Sequence, residues 1–179
     1  VGVRAGSAQY PGAGVLCVAG AASGLCGMVR YLAGARDQVL AAHPDVVAEP
    51  GRVQAWTVGS GGGADVATML AEAQEDGVPV VIDADALALV DGPLAVPSVL
   101  TPHAGELSRM TGADRAAIEA APLRHARAAA ERYDAVIDHL DDLVATHVEM
   151  DDDPFDRSCV AVVGRVVTQE RDAARDAPS

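Results

Sequence analysis

The chain has 179 residues, of which 50% are hydrophobic and only 3% aromatic, and it carries a formal net charge of −13 at pH 7. This length is enough for one domain with a sizeable core, which has to be built mainly from alanine, valine and leucine. The acidic balance, in which all 13 basic residues are arginine, argues against binding to nucleic acid or to an anionic membrane surface.

The first third of the chain alternates short apolar runs with turns and helical patterns. Proline and glycine separate these segments, and Pro44 ends the second helix. The predicted elements are, in order, an apolar start (1–4), a turn (10–14), a buried helix (15–22), a strand (27–32), a short helix (37–43), a brief strand (45–48) and a clearer strand (53–58).

The next segments continue this alternation. They are a glycine run (59–63), a helix (64–76), a strand (80–82), a short helix (86–90), a short strand (98–100), the start of a helix (106–110) and an alanine-rich helical region (113–133) that Pro122 divides in two. Strands that alternate with helices predict an α/β domain with a largely parallel sheet and helices on both faces.

The composition changes after Tyr133. Residues 134–156 contain eight Asp and one Glu, residues 160–167 could form one more strand, and residues 171–179 are typical of a disordered end. We therefore expect a domain over residues 1–133 and a divergent acidic tail over residues 134–179. The histidines and acids at 139–153 match no zinc or calcium spacing, which favours a solvated acidic segment over a metal site.

Cysteine usage and hydropathy bear on the compartment. The three cysteines, Cys17, Cys26 and Cys159, show no CxxC spacing, and their odd number argues against a disulfide framework. No apolar stretch reaches the length of a membrane span. We expect a cytoplasmic protein that has no membrane partner.

Polar side chains follow two of the predicted strands where each strand ends. Asp83 and Asp85 come after the strand 80–82, and His103 and Glu106 follow the strand 98–100. The carboxyl ends of parallel strands lie at one edge of a sheet, where open α/β sheets bind their ligands. The two aspartates could orient a ligand hydroxyl or a hydrated Mg²⁺, or they could cap the next helix.

His103 and Glu106 also allow two interpretations. His103 is fixed between Pro102 and Gly105 and could hydrogen-bond a ligand while mostly neutral, or it could be a structural residue at a helix start. Glu106 could be an acid of the first helical turn, favoured there by the helix dipole.

The glycine run lies between a strand and a helix. Gly59, Gly61 and Ala64 satisfy the pattern G-x-G-x-x-A, and Asp83 lies about twenty residues further on, as in dinucleotide-binding proteins. A turn without side chains lets backbone N–H groups approach a phosphate. The pattern is also common in merely structural turns, so both alternatives stay open here.

Four segments together carry a more specific signal. They are Tyr10-Pro11-Gly12-Ala13, Gly59-Ser60-Gly61-Gly62-Gly63, Asp83-Ala84-Asp85-Ala86-Leu87 and Leu100-Thr101-Pro102-His103-Ala104-Gly105-Glu106. In this order they resemble the ADP- or ATP-dependent NAD(P)H-hydrate dehydratases, a branch of the ribokinase-like fold. The resemblance extends from the start of the chain to about Tyr133.

This resemblance implies a nicotinamide nucleotide repair enzyme. The family phosphorylates the hydroxyl of the hydrated nicotinamide ring from ADP or ATP with Mg²⁺, and loss of phosphate then restores NADH or NADPH. By position, Ala13, Gly63 and His103 would contact the hydrated dinucleotide. Asp83, Asp85 and Glu106 are carried over only as supporting residues. No metal ligand is assigned.

The chain departs from the family pattern in its last part. The family has a strand ending in Lys-Gly and a Gly-Ser-Gly-Asp-Val-Leu loop whose Asp is the catalytic base, but this sequence contains no Lys and no Gly-Asp dipeptide. We therefore expect an incomplete ribokinase-like domain with no identified catalytic base, weak substrate binding and little or no turnover. An NAD-dependent oxidoreductase and a non-catalytic binding module are the alternatives, and a homo-oligomer is left open.

Overall fold

The computed structural model describes residues 1–24 and 26–138. Within them, one sheet contains six strands: β1 (Gly2–Arg4), β2 (Arg30–Tyr31), β3 (Trp56–Val58), β4 (Val80–Ile82), β5 (Ser98–Leu100) and β6 (Val136–Ile137). Their spatial order is β2-β1-β3-β4-β5-β6, and every pair is parallel. The predicted α/β class with a parallel sheet is confirmed.

Helices connect these strands, as a parallel sheet requires. They are α1 (Pro11–Ser23), α2 (Arg36–Ala42), α3 (Val66–Glu75), α4 (Ala104–Thr111), α5 (Arg115–Ala120) and α6 (Pro122–Tyr133), with short 3₁₀ helices at Gly63–Asp65 and Ala84–Leu89. Proline stands at the first position of both α1 and α6, where its fixed φ suits a helix and its missing N–H costs nothing.

The alternation of side chains along the strands divides the core into two parts. Trp56, Val58 and Ile82 lie on one face in a cluster that includes residues of α3, α4 and α6. Val3 of β1 belongs to a second cluster, with residues of α1 and α2 such as Val18. The two faces of the sheet are therefore covered by different helices.

Trp56 ties β1, β3 and α3 together. Its ring is 1% exposed, its Nε1–H donates to Asp76 Oδ2 at 2.8 Å, and the Arg4 guanidinium lies 4.6 Å from its ring centroid. Arg4 also forms an ion pair with Glu72 of α3. The buried indole therefore has a hydrogen-bond acceptor for its N–H and a cation over its face, so it leaves no unsatisfied donor in the core.

Two predictions for the first third of the chain were wrong. The predicted turn at residues 10–14 is in fact the first turn of α1, because Pro11 starts the helix and Gly14 lets it approach the neighbouring backbone of Ala5. The predicted strand at 45–48 is reduced to a single bridge between Val47 and Arg30. The predicted strand at 160–167 and the disordered end at 171–179 lie outside the described residues.

Candidate functional site

The strand order reverses between β1 and β3. The chain leaves β1 toward β2 on one side and later enters β3 on the other side of β1. The segments that follow β1 and β3 therefore separate, and open α/β sheets bind ligands in the crevice that forms at such a point. Residues 6–13 and the glycine run 59–63 meet at this point of the sheet edge.

The glycine run lies against the start of α1. Gly61 has φ of +60°, and a Cβ at this position would be 2.7 Å from the Cβ of Ala13 and 3.1 Å from that of Tyr10. Gly63 has φ of +58° and lies beside Ser7, whose Oγ would be 3.4 Å from an added Cβ. The loop therefore needs glycine both for its backbone conformation and for its close approach to α1.

Asp83 lies at the end of β4 and is 7% exposed. Its Oδ2 accepts the Ser60 hydroxyl at 2.8 Å, and its Oδ1 accepts the Thr101 hydroxyl at 2.7 Å. Although Asp83 occupies the cap position of the following 3₁₀ helix, its side chain makes no capping hydrogen bond there. The carboxylate instead joins the segments that follow β3 and β5.

Asp85 differs from Asp83, because it is exposed. Between the two, Ala84 has φ of +47°, which is an unfavourable conformation for a residue with a Cβ. This local strain lies at the carboxyl edge of the sheet, and strained residues tend to occur at functional sites.

His103 caps α4 with its side chain. Its Nδ1 accepts the backbone N–H groups of Gly105 at 3.0 Å and Glu106 at 3.4 Å. In return, Glu106 Oε2 accepts the backbone N–H of His103 at 3.0 Å, which completes a capping box. The His103 side chain is 55% exposed, and its Nε2 lies 3.5 Å from Glu106 Oε1.

Glu106 lies in a partly dehydrated and charged environment. Burial raises the pKa of its carboxyl above the ordinary value of 4.5, and the negative charge of Asp83 acts in the same direction. The backbone N–H and charge of His103 and the charge of Arg109 oppose this rise in pKa. The structure thus brings Asp83, His103 and Glu106 into one electrostatic neighbourhood.

Two groups of the predicted residues lie along the carboxyl edge of the sheet. Ala13 and the glycine run adjoin each other near β1 and β3, and His103 follows β5, which is two strand spacings or about 10 Å from β3. Sequence reasoning missed Ser60 and Thr101 as partners of Asp83. The available signal was a hydroxyl residue within two positions of the ends of β3 and β5, the two strands that flank β4.

A family model described as NAD(P)H-hydrate dehydratase matches residues 1–149. The chain belongs to this family. It shares the fold of a hydrate dehydratase structure from Bacillus subtilis, co-crystallised with ATP and Mg²⁺, with a TM-score of 0.68 and 25% sequence identity over 76% of this chain and 55% of that one.

The chain is also similar in sequence to curated proteins of this dehydratase family. The bifunctional NAD(P)H-hydrate repair enzyme of Mycobacterium tuberculosis is 50% identical over 125 residues, which cover 63% of this chain and 26% of that protein. The ADP-dependent (S)-NAD(P)H-hydrate dehydratase of Xanthomonas campestris is 48% identical over 59 residues, 32% of this chain and 20% of that protein. The chain thus spans about a quarter or less of the curated relatives and about half of the dehydratase structure.

The described part of the chain offers no protein cage for Mg²⁺. Within residues 1–24 and 26–138, no group of three or more His, Cys, Asp or Glu side chains could hold a metal ion. Magnesium that accompanies a nucleotide takes most of its ligands from phosphates and water. No helix in this part of the chain is long and apolar enough to cross a membrane.

Proposed function

We propose that this chain takes part in the ADP- or ATP-dependent dehydration of NAD(P)H hydrate, with Ala13, Gly63 and His103 contacting the hydrated dinucleotide. The observation that carries the proposal is the alignment of these positions along one edge of the sheet. The glycine run presses against α1, and His103 caps α4 two strands away. An elongated ligand that lies across the strand ends can contact both the glycine run and His103.

The glycine run and His103 have different roles in the proposed binding. The glycine run offers backbone without side chains, which lets a phosphate or ribose group approach closely. The His103 side chain is 55% exposed, and its Nε2, which lies 3.5 Å from Glu106 Oε1, is the ring nitrogen left to contact the ligand, because Nδ1 accepts backbone N–H groups of α4. Binding of this kind positions the ring hydroxyl for phosphoryl transfer, to which positioning contributes much of the rate.

We assign a supporting role to Asp83, Asp85 and Glu106, and ADP or ATP with Mg²⁺ as the co-substrate. The sequence contains neither a Lys nor a Gly-Asp dipeptide, which family members use around the transferred phosphate. We therefore expect this chain to bind the hydrate and to turn it over slowly or not at all. A cytoplasmic location and a divergent tail from residue 134 are part of the same proposal.

Equilibrium dialysis of the purified chain against NADH hydrate and against NAD⁺ tests the binding. We expect a preference for the hydrate that His103→Asn weakens, because asparagine can cap a helix but does not reach as far as Nε2. His43→Asn is the matched control. His43 lies four residues before Val47, which pairs with Arg30 at the beginning of β2, so it is far from the carboxyl edge of the sheet. Tighter binding of NAD⁺ would instead support the oxidoreductase alternative.

Recovery of absorbance at 340 nm from prepared hydrate, with ADP or ATP and Mg²⁺, tests the catalysis. We expect little recovery, and rapid ADP-dependent recovery would refute the slow turnover. The location of Asp83 already disfavours the oxidoreductase, in which this acid would bind a ribose. Both of its oxygens accept hydroxyl hydrogens from the protein, and it is 7% exposed.

A further inference from the structure

A short chain of hydrogen bonds crosses the sheet edge at Asp83. The backbone N–H of Gly6 donates to the Ser60 carbonyl at 2.7 Å, and the Ser60 hydroxyl donates to Asp83 at 2.8 Å. The Thr101 hydroxyl then donates to the other oxygen of Asp83 at 2.7 Å. The Asp83 carboxylate, just after β4, thereby connects the segments that follow β3 and β5, and Ser60 connects them to the segment after β1.

The two hydroxyl residues stand close to the proposed ligand contacts. Ser60 lies three positions before Gly63, and Thr101 lies two positions before His103. Backbone contact reinforces the connection, because Gly59 has φ of +132° and its Cα lies tight against the Asp83 carbonyl, where no Cβ would fit. A movement of Asp83 would therefore displace both loops.

The bonds at Asp83 are of the stronger kind. Hydrogen bonds to an ionised acceptor are shorter and stronger than those between neutral groups, and low solvent exposure strengthens them further. Each carboxylate oxygen of Asp83 accepts a hydrogen bond from one hydroxyl group, and the residue has little exposure to water. Its carboxylate is therefore suited to hold protein loops rather than to present an open face to a ligand.

We propose that Asp83 is a positioning residue, which fixes the glycine run 59–63 relative to His103 by bridging Ser60 and Thr101. The identity of the ligand rests on the proposed function, but the coupling between the two loops does not. Without the hydrogen bonds of Ser60 and Thr101 to Asp83, each loop keeps its own local structure, but the distance between the glycine run and His103 is no longer fixed. The ligand then binds more weakly, although the fold persists.

Backbone amide chemical shifts of the ligand-free full chain test the coupling. Thr101→Val should shift the amides of Gly61 and Gly63, and Ser60→Ala should shift those of Gly105 and Glu106, although each substitution lies on the other loop. Both cross-loop shifts should shrink in an Asp83→Asn background. The shape of the side chain is retained there, but its charge and one acceptor are lost.

Ser98→Ala is the matched control. The Ser98 hydroxyl is buried and donates to the Val96 carbonyl at 2.8 Å, so the substitution removes a bond of the same length elsewhere on β5. It should leave the amides of the glycine run unchanged. Absence of cross-loop shifts in Ser60→Ala and Thr101→Val would overturn the proposal, whatever the ligand is.

Dialysis against NADH hydrate then tests the consequence for binding. Ser60→Ala and Thr101→Val should each weaken binding by about fivefold, the usual effect of one lost hydrogen bond. In the Asp83→Asn background, neither substitution should weaken binding much further, and Ser98→Ala should have no effect. Unchanged affinity in all variants would overturn the positioning role. Failure of the wild-type chain to bind hydrate would instead refute the proposed function, and the amide shifts would still decide the coupling.

Discussion

The imidazole Nδ1 of His103 accepts the backbone N–H of Gly105 at 3.0 Å. The lone pair of Nδ1 is therefore used within the protein, which leaves Nε2 as the ring nitrogen that can donate a hydrogen bond. One side chain thus has two separable tasks, since Nδ1 caps α4 and Nε2, 3.5 Å from Glu106 Oε1, faces the proposed ligand site. Substitutions can remove one task and keep the other.

Replacements of His103 should separate capping from binding by their effect on stability. We expect His103→Asn to change the free energy of unfolding by less than about 0.5 kcal/mol, because asparagine is a good cap, and His103→Ala to cost about 1 kcal/mol. Urea unfolding followed by circular dichroism measures both values. Equal costs for the two variants would show that the cap contributes nothing.

Glu106→Gln should change how stability depends on pH. The raised pKa means that the folded protein holds this proton more tightly than the unfolded chain. The resulting stabilisation is complete below the ordinary value of 4.5 and is lost as pH rises through the raised pKa. Glutamine can still accept the N–H of His103 but does not titrate, so this loss should disappear. An identical pH profile for the variant and the wild type would contradict the assignment.

Gly61→Ala should destabilise the domain through the contact with α1. A left-handed φ alone costs a residue with a Cβ about 1–2 kcal/mol, and the new Cβ would be only 2.7 Å from that of Ala13. Gly92→Ala is the control, because no atom lies within 4 Å of a Cβ there and φ is not left-handed. It should be neutral or stabilise by roughly 0.4–1 kcal/mol in the same unfolding experiment. Similar effects for both glycines would be inconsistent with the packing described.

Asp134→Gly should stabilise the end of α6. Asp134 follows the last residue of this helix with φ of +48°, a position that glycine usually occupies. We expect a gain of about 0.5–1 kcal/mol in the free energy of unfolding. Asp91→Gly, in an exposed segment without left-handed backbone, should give no such gain. A loss of stability in Asp134→Gly would mean that its carboxylate has a structural role.

The sequence predicted the strands best where their ends were marked by turn-forming residues. The strands predicted at 80–82 and 98–100 coincide with β4 and β5, which end at Asp83 and at Thr101-Pro102. The strand predicted at 53–58 is shortened to Trp56–Val58, because its partner β1 offers only three residues for pairing. Strand length depends on the neighbour, which periodicity along one segment does not reveal.

The candidate site could be predicted in its positions but not in its connections. Placing Asp83 and His103 at strand ends required only the alternation of strands and helices. The partners of Asp83 are 23 and 18 residues away in sequence, so their contact depends on the strand order. The capping role of His103 was foreseen only as a general alternative, because histidine is not a usual cap.

The single tryptophan gives the protein a built-in optical reporter. Trp56 lies in β3 with its side chain in the core on the α3 side of the sheet, its indole N–H bonded to Asp76 and almost no contact with water. When Trp56 is excited at a wavelength that tyrosine does not absorb, its fluorescence emission should stay blue-shifted as long as α3 remains packed on the sheet. A shift toward red therefore signals that α3 has separated from the strands, without any label having been attached.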